Sequence, residues 1–123
     1  MVCFRTAHGR FALPVESTLS VRRIEGLVEL PAPRADIVGL LPGDPPVSVL
    51  AALGAGGDHV LIVSANDIRF GLQVVEVLGV ERFDDDQVGP PPNGQQGGLI
   101  VGTIHISDEL TLVADAAALA ACL

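Results

Sequence analysis

Shifted along itself by 59 positions, the sequence meets itself again without a gap over two long stretches, as a fold built from one repeated unit would. Arg10-Phe11-Ala12-Leu13-Pro14-Val15 falls on Arg69-Phe70-Gly71-Leu72-Gln73-Val74, and further on Leu19 meets Leu78, Val21 meets Val80 and Arg23 meets Arg82. Upstream, Val2 to Arg5 overlies Leu61 to Ser64, and a short polar turn follows each, Ala7-His8-Gly9 in the first copy and Asn66-Asp67 in the second. Beyond a proline-containing break the echo resumes at a slightly larger offset. Ile37-Val38-Gly39 recurs as Ile100-Val101-Gly102, and Leu50-Ala51-Ala52-Leu53 is answered by Ala116-Ala117-Ala118-Leu119. Chance can match one such piece in an apolar chain; the same pieces in the same order point to duplication.

The two copies run over about residues 1–57 and 58–123 of a 123-residue chain. A unit of that length buries too little surface to stand alone, so the copies are expected to pack as two lobes of one domain, with room for strands to exchange between them. Apolar residues make up 49% and charged ones 18%, enough for a core and against disorder. The segments are short and rich in Val, Ile and Leu, and some alternate: Phe11, Leu13 and Val15 are separated by Ala12, Pro14 and Glu16. That pattern predicts strands. Asn66-Asp67 reads as a tight hairpin turn, because both residues tolerate positive φ, and Ser107-Asp108 as another. Alanine accumulates around Val49 to Leu53 and from Asp115 to Ala121, which predicts helix at both places, with Asp115 capping the second. Short strands with turns at this spacing predict a mainly β fold of two small barrels rather than one open sheet. Leu41 to Pro46 is a kinked connector, and Gly89 to Gly98 a Pro- and Gly-rich loop that supports neither ladder nor helix.

Charge and composition remove several functions. The net charge is −8 and all seven cations are arginine. With no lysine, neither a Walker-type phosphate loop nor Schiff-base chemistry is available. An acidic chain with four Phe and no Trp or Tyr lacks the basic groove and stacking platforms of a nucleic-acid binder. No Gly-x-Ser-x-Gly elbow or Cys-His signature offers a nucleophile. His8, His59 and His105 are scattered, Asp84-Asp85-Asp86 lacks the spacing of a calcium loop, and Gly54-Ala55-Gly56-Gly57 lacks that of a dinucleotide site. Cys3 and Cys122 read as two structural thiols rather than a bridge or a metal site. The expectation is a protein with no catalytic residue, metal or cofactor. The N-terminus has no signal-peptide pattern and no apolar run is long enough to span a membrane, so a cytoplasmic location is expected. A two-lobed β body of this kind suits binding, by strand addition at an edge or by a helix accepted between the lobes.

Taken in order, the same segments resemble the CheW family, the adaptors that couple chemoreceptors to the histidine kinase CheA. Phe4-Arg5, the turn and Phe11-Ala12-Leu13-Pro14-Val15-Glu16 are similar to that family's first hairpin. Pro31-Ala32-Pro33 with Ile37-Val38-Gly39-Leu40-Leu41 resembles its approach to a Gly-centred strand, and Pro46-Val47 with Leu50 its Pro-Val-x-Asp-Leu segment. Phe70 to Val80 is the most specific piece; Pro90-Pro91-Pro92, Ile100-Val101-Gly102 and Leu110 to Asp115 follow in the expected order. The resemblance covers nearly the whole chain as a single CheW-like domain. It implies two five-stranded SH3-like β-barrels related by a pseudo-twofold, with a short C-terminal helix.

It also implies a function: a non-catalytic scaffold that holds a CheA-type kinase regulatory domain at its lobe ends and a helical segment of a chemoreceptor-like protein between its lobes. Thr18, Gly39 and Leu41 from the first lobe, with Gly71 and Gly102 from the second, are the residues expected to line that groove. The alternative is a diverged module that self-associates through barrel edges, for which the absence of lysine removes one common edge guard. The chain departs from the family at charged positions. Leu41-Pro42-Gly43-Asp44 stands where many members carry Asn-Leu-Arg-Gly, Ser20 replaces a Glu, and Val49 and Val75 each replace an Asp. Loss of an interfacial arginine can change binding by about 2 to 5 kcal/mol where the contact is buried.

Overall fold

In the computed structural model the described residues are 1–29, 37–43, 45–54, 56–92, 98–106 and 108–123. Pro31-Ala32-Pro33, Asp44, Ala55, Ser107 and the stretch 93–97 of the Pro- and Gly-rich loop lie outside them. Among the described residues the strands in chain order are β1 (Val2–Thr6), β2 (Gly9–Leu13), β3 (Thr18–Arg23), β4 (Ile37–Leu41), β5 (Val47–Leu50), β6 (His59–Ala65), β7 (Ile68–Val74), β8 (Glu76–Val80), β9 (Ile100–Ile106) and β10 (Glu109–Ala114). One helix, α1 (Ala116–Ala120), closes the chain, and 3-10 turns occupy Val15–Ser17 and Asp85–Gln87. No helix among the described residues is long and apolar enough to cross a membrane.

The strands form two five-stranded sheets, ordered β8-β1-β2-β10-β9 and β3-β6-β7-β5-β4. Replacing each strand of the first by its counterpart in the other copy of the repeat, β1 by β6, β2 by β7 and so on, yields the second. Each sheet therefore joins a hairpin from one copy to three strands from the other. The hairpins are β1 with β2, where Phe4 lies opposite Phe11, and β6 with β7, where Val63 lies opposite Phe70. Asn66 and Asp67 turn the second at φ of 52° and 63°, the doubly left-handed turn whose twist matches the flanking strands.

The symmetry reaches single residues. Val113 pairs in parallel with Ala12 in one sheet as Val49 does with Gly71 in the other. In the first copy Ile37 faces Leu50 and Gly39 faces Val49, leaving Val38 as an extra residue. In the second, Ile100 faces Ala114 and Gly102 faces Val113, leaving Val101 extra. The Ile-Val-Gly motif is thus a β-bulge made twice. Strand pairing equates Leu50 with Ala114, so the match of Leu50-Ala51-Ala52-Leu53 to Ala116-Ala117-Ala118-Leu119 does not hold within the strands.

Two local expectations need correction. Val49 to Leu53 is not a helix: Val47–Leu50 is β5, and Ala52 and Leu53 form a turn closed by the Gly54 N–H donating to the Ala51 carbonyl. Val49 and Leu50 are wholly buried, and their backbone is paired to β4 on one side and β7 on the other, so tertiary pairing overrides alanine's helix propensity. Nor does β2 alternate. Phe11, Ala12 and Leu13 are all buried, because the strand sits between β1 and β10 with both faces covered, whereas Val15 beyond it is 46% exposed. The C-terminal helix forms as expected, with the Ala117 N–H donating to Asp115 Oδ1 at 3.0 Å.

The main core lies between the sheets. Phe4, Phe11 and Leu13 from the first pack with Leu61, Phe70 and Leu72 from the second and with Leu119 of α1. The Phe4 and Phe11 rings stack with centroids 6.0 Å apart. Burying each such side chain is worth roughly 1.5–3 kcal/mol relative to leaving it exposed. A second cluster, Leu41, Val47, Val49, Val60 and Ile62, belongs to the second sheet and is covered by Ile24 and Leu27 from the segment that follows β3.

Candidate partner-binding surface

Three of the five expected groove residues are glycines, and each has a neighbour where a side chain would sit. A Cβ on Gly39 would lie 2.6 Å from the Val28 carbonyl oxygen and 3.1 Å from Leu27 Cγ. One on Gly102 would lie 2.6 Å from Val88 Cγ1 and 3.0 Å from the Gly89 oxygen. The crossing segments are pinned the same way in both copies. Val28 and Leu40 exchange two backbone hydrogen bonds at 2.9 Å, and Gly89 and Thr103 exchange two at 2.8 and 3.1 Å. Glycine beside the bulge lets the connector lie directly on the strand. Gly71 meets a side chain instead, since its Cβ would stand 2.4 Å from Val60 Cγ1.

Leu41 is 3% exposed and part of the second core cluster. Thr18 opens β3, half-buried, and its hydroxyl donates to the Val15 carbonyl at 2.9 Å. The sheet brings Gly39 and Gly71 together on either side of Val49, with Leu41 two residues along β4 from Gly39. Thr18 lies on the far edge strand of that sheet, the second, and Gly102 lies in the first sheet, in the place Gly39 has in the second.

Two grooves carry the accessible chemistry. One, of about 420 Å³, draws on both sheets and the helix: Pro14 and Ser17 beside Thr18, Ala65 at the end of β6, Val101 and Val113 from β9 and β10, and Ala117 of α1. The lining is small and apolar, Val101 at its bulge is 50% exposed, and Asp115, its one acidic residue among the described lining, is engaged as the helix cap. The other groove, of about 560 Å³, lies on the second sheet alone, where Leu19, Ser20, Arg22, Val47, Ile62 and Arg69 meet Gly43, Pro45 and Pro46. Sequence reasoning placed none of these lining residues in a groove. The repeat did align Arg69 with Arg10, and the difference between the two, one in an ion pair and one in none among the described residues, appears only in three dimensions.

Among the described lining residues neither groove brings together a nucleophile and a base. Among the described residues no cluster of His, Cys, Asp and Glu is arranged to hold a metal. Burial, with Glu81 contributing a smaller Coulombic share, pushes the Cys3 thiol above its ordinary range, so it stays protonated and a poor nucleophile at neutral pH. Cys3 and Cys122 are not bonded to one another.

The sequence profile of the CheW-like domain matches residues 1–122. The chain belongs to the CheW family. Comparison with curated protein sequences finds no match. Among solved structures, the scaffolding protein TtCheW from Thermoanaerobacter tengcongensis superposes with a TM-score of 0.80 at 19% identity, over 94% of this chain and 88% of that one. At that identity the likeness speaks for the fold: mainly β, two five-stranded sheets and one short helix. CheW proteins are non-catalytic scaffolds that interact with chemoreceptors and CheA in chemosensory arrays.

The structure gives physical reasons for two of the departures from the CheW pattern. Val49 is wholly buried between Gly39 and Gly71, where the carboxylate of many CheW members would need a buried partner. Leu41, opening the segment that replaces Asn-Leu-Arg-Gly, is core. Positive charge in this region comes instead from Arg22 and Arg69, on β3 and β7, with Ser20 between the exposed Leu19 and Val21. Val75 is half-buried at the entry to β8, its N–H donating to the Arg5 carbonyl at 2.8 Å.

Proposed function

We propose that this chain is a CheW-like adaptor coupling a chemoreceptor-like helical protein to the regulatory domain of a CheA-type histidine kinase, working in the cytoplasm. The groove drawn from both sheets carries the reading. Its small apolar lining, Ala65, Val101 and Val113, admits a helix backbone closely, and an amphipathic helix laid in such a groove is held by apolar anchors rather than by chemistry. The kinase domain would meet the lobe ends, leaving the groove open to the receptor.

The test is binding of the intact chain to the cytoplasmic helical hairpin of its cognate receptor and, separately, to the kinase regulatory domain. Binding is expected to both at roughly micromolar concentration. Val101 is half exposed, so Val101→Asp should fold normally, weaken receptor binding at least about tenfold by placing a charge in the apolar seat, and leave kinase binding unchanged. Recovery of neither partner by the unmodified chain would overturn the proposal.

A further inference from the structure

We infer that the hollow between Phe11, Leu53, Ile100 and Leu112 binds a short branched-chain carboxylic acid, its aliphatic tail on those side chains and its carboxylate at His8. The inference goes beyond the adaptor reading, and the hollow shares no described lining residue with the groove assigned to the receptor.

It starts from a broken symmetry. Val49 and Val113 hold matching places in their sheets. Counting on from them without a gap sets Ala51-Ala52-Leu53-Gly54-Ala55-Gly56-Gly57 against Asp115-Ala116-Ala117-Ala118-Leu119-Ala120-Ala121. Both segments begin by turning: the Ala51 carbonyl accepts from the Gly54 N–H at 3.0 Å, and the Asp115 carbonyl from the Leu119 N–H at 3.0 Å. The second goes on as α1, which packs against β6 and β7 and carries the wholly buried Leu119 into the main core with Ile37 and Phe70. The first turns away at Gly54, whose φ of 134° favours glycine. A Cβ there would also lie 2.9 Å from Thr6 Oγ1 and 3.2 Å from His8 Cγ, so the His8 turn closes on the chain where the other copy continues its helix. In sequence, Leu119 falls against Ala55 in a run otherwise of glycine.

The first sheet consequently has a hollow of about 240 Å³ beside Leu53. It stands on Phe11 and Ile100, the counterparts of Phe70 and Ile37 that share the core with Leu119. Leu112 adds to the wall, and His8 is the one polar side chain among the described lining. The volume lies between the ~150 Å³ of a cavity that takes benzene and the ~300 Å³ at which pockets for drug-sized ligands begin. A branched chain the size of a leucine side chain suits it, as Leu119 suits the matching place in the other copy. His8 takes part in no ion pair among the described residues, and an imidazole N–H donates to a carboxylate. An apolar hollow with one polar group at its rim fixes which end of such a molecule goes in.

Titration of the intact chain with isocaproate, followed by amide and methyl NMR, tests this, with acetate as the head lacking the tail. Saturable shifts at Leu53, Ile100 and Leu112 are expected, half complete at roughly 0.1–10 mM, and none at those residues from acetate. Ala52→Leu places a larger apolar side chain in the hollow from a half-buried turn position and should weaken binding about tenfold or more. His8→Ala should weaken it about threefold or more through the lost donor. No saturation up to ~50 mM, the same shifts from acetate, or undiminished binding by a folded Ala52→Leu variant would each overturn the inference, and undiminished binding by His8→Ala would overturn the placing of the carboxylate. Should Ala52→Leu not fold, the comparison of isocaproate with acetate on the unmodified chain decides alone.

Discussion

Gly71→Ala measures whether the buried glycines are there for packing. The added methyl would stand 2.4 Å from Val60 Cγ1 and 3.4 Å from Val49 Cγ2, against ~3.5–4.0 Å for carbon atoms in comfortable contact. Val60 is wholly buried and β-branched, so it cannot rotate away cheaply. Overpacking of this kind costs about 1–3 kcal/mol, less the roughly 0.5–1 kcal/mol gained by replacing glycine in a strand. Val60→Ala alone removes two buried methyl groups and should cost about 2–3 kcal/mol including the cavity. In the double variant the alanine methyl enters the space that Val60 vacates, so the sum of the single losses should exceed the double loss by about 1–2 kcal/mol. Urea unfolding of the four proteins reads this directly, and thermal melts should follow at about 3–5 °C per kcal/mol. A Gly71→Ala variant as stable as the parent, or a cycle additive to within about 0.5 kcal/mol, would refute the packing account and return Gly71 to the candidates for partner approach.

Gly39→Ala should be more damaging than Gly71→Ala and not rescuable, because its methyl meets the Val28 carbonyl oxygen at 2.6 Å; Leu27→Ala in the same chain should recover nothing by urea unfolding. Thr6 is buried, donates from Oγ1 to the Leu53 carbonyl at 2.7 Å and accepts from the His8 N–H at 3.1 Å, so Thr6→Val should lower unfolding free energy by about 1–3 kcal/mol through two orphaned backbone groups. Because burial raises the Cys3 thiol in the folded state, its contribution to stability is complete below the unfolded value of about 8.5 and is lost as pH rises from there through the raised folded value. Stability of the parent should therefore fall above about pH 8.5, and Cys3→Ala should flatten that part of the curve. Asp115→Ala should cost about 1 kcal/mol by removing the cap of α1, read as a lower melting temperature with the sheets intact.

The duplication was legible because apolar pieces repeat in order, and every strand of one copy has its counterpart in the other. Which hairpin joins which sheet was not. A sequence repeat says what resembles what, and is silent on whether β1 and β2 pair with the strands that follow them or with β8 and β10. The misread β5 has the same origin: Ala51-Ala52 carries a local helical preference, while the parallel partner that makes Val49 a strand residue lies on β7. Val49 offers no local sign that glycines will stand on both sides of it.

The candidate site divides along a related line. Ile-Val-Gly drew notice because it occurs twice, yet the reason for its glycine is a connector crossing from outside the motif, Leu27-Val28 in one copy and Val88-Gly89 in the other. Repetition can mark a position that geometry requires. It cannot mark a position where the copies have parted, and surfaces that distinguish partners are made there. Arg10 and Arg69 look alike in the alignment; one is spent on Glu109 and the other faces a groove. A duplicated scaffold begins with two equivalent ends, so two different partners can be told apart only by what has since diverged. At these edges the copies part in charge at one position, where Arg22 stands opposite Glu81 in the repeat, while Arg23 and Arg82 and the apolar Leu19, Leu78, Val21 and Val80 remain matched. On the adaptor reading, selectivity of contact would reside in exposed residues such as these, which can change without cost to the core.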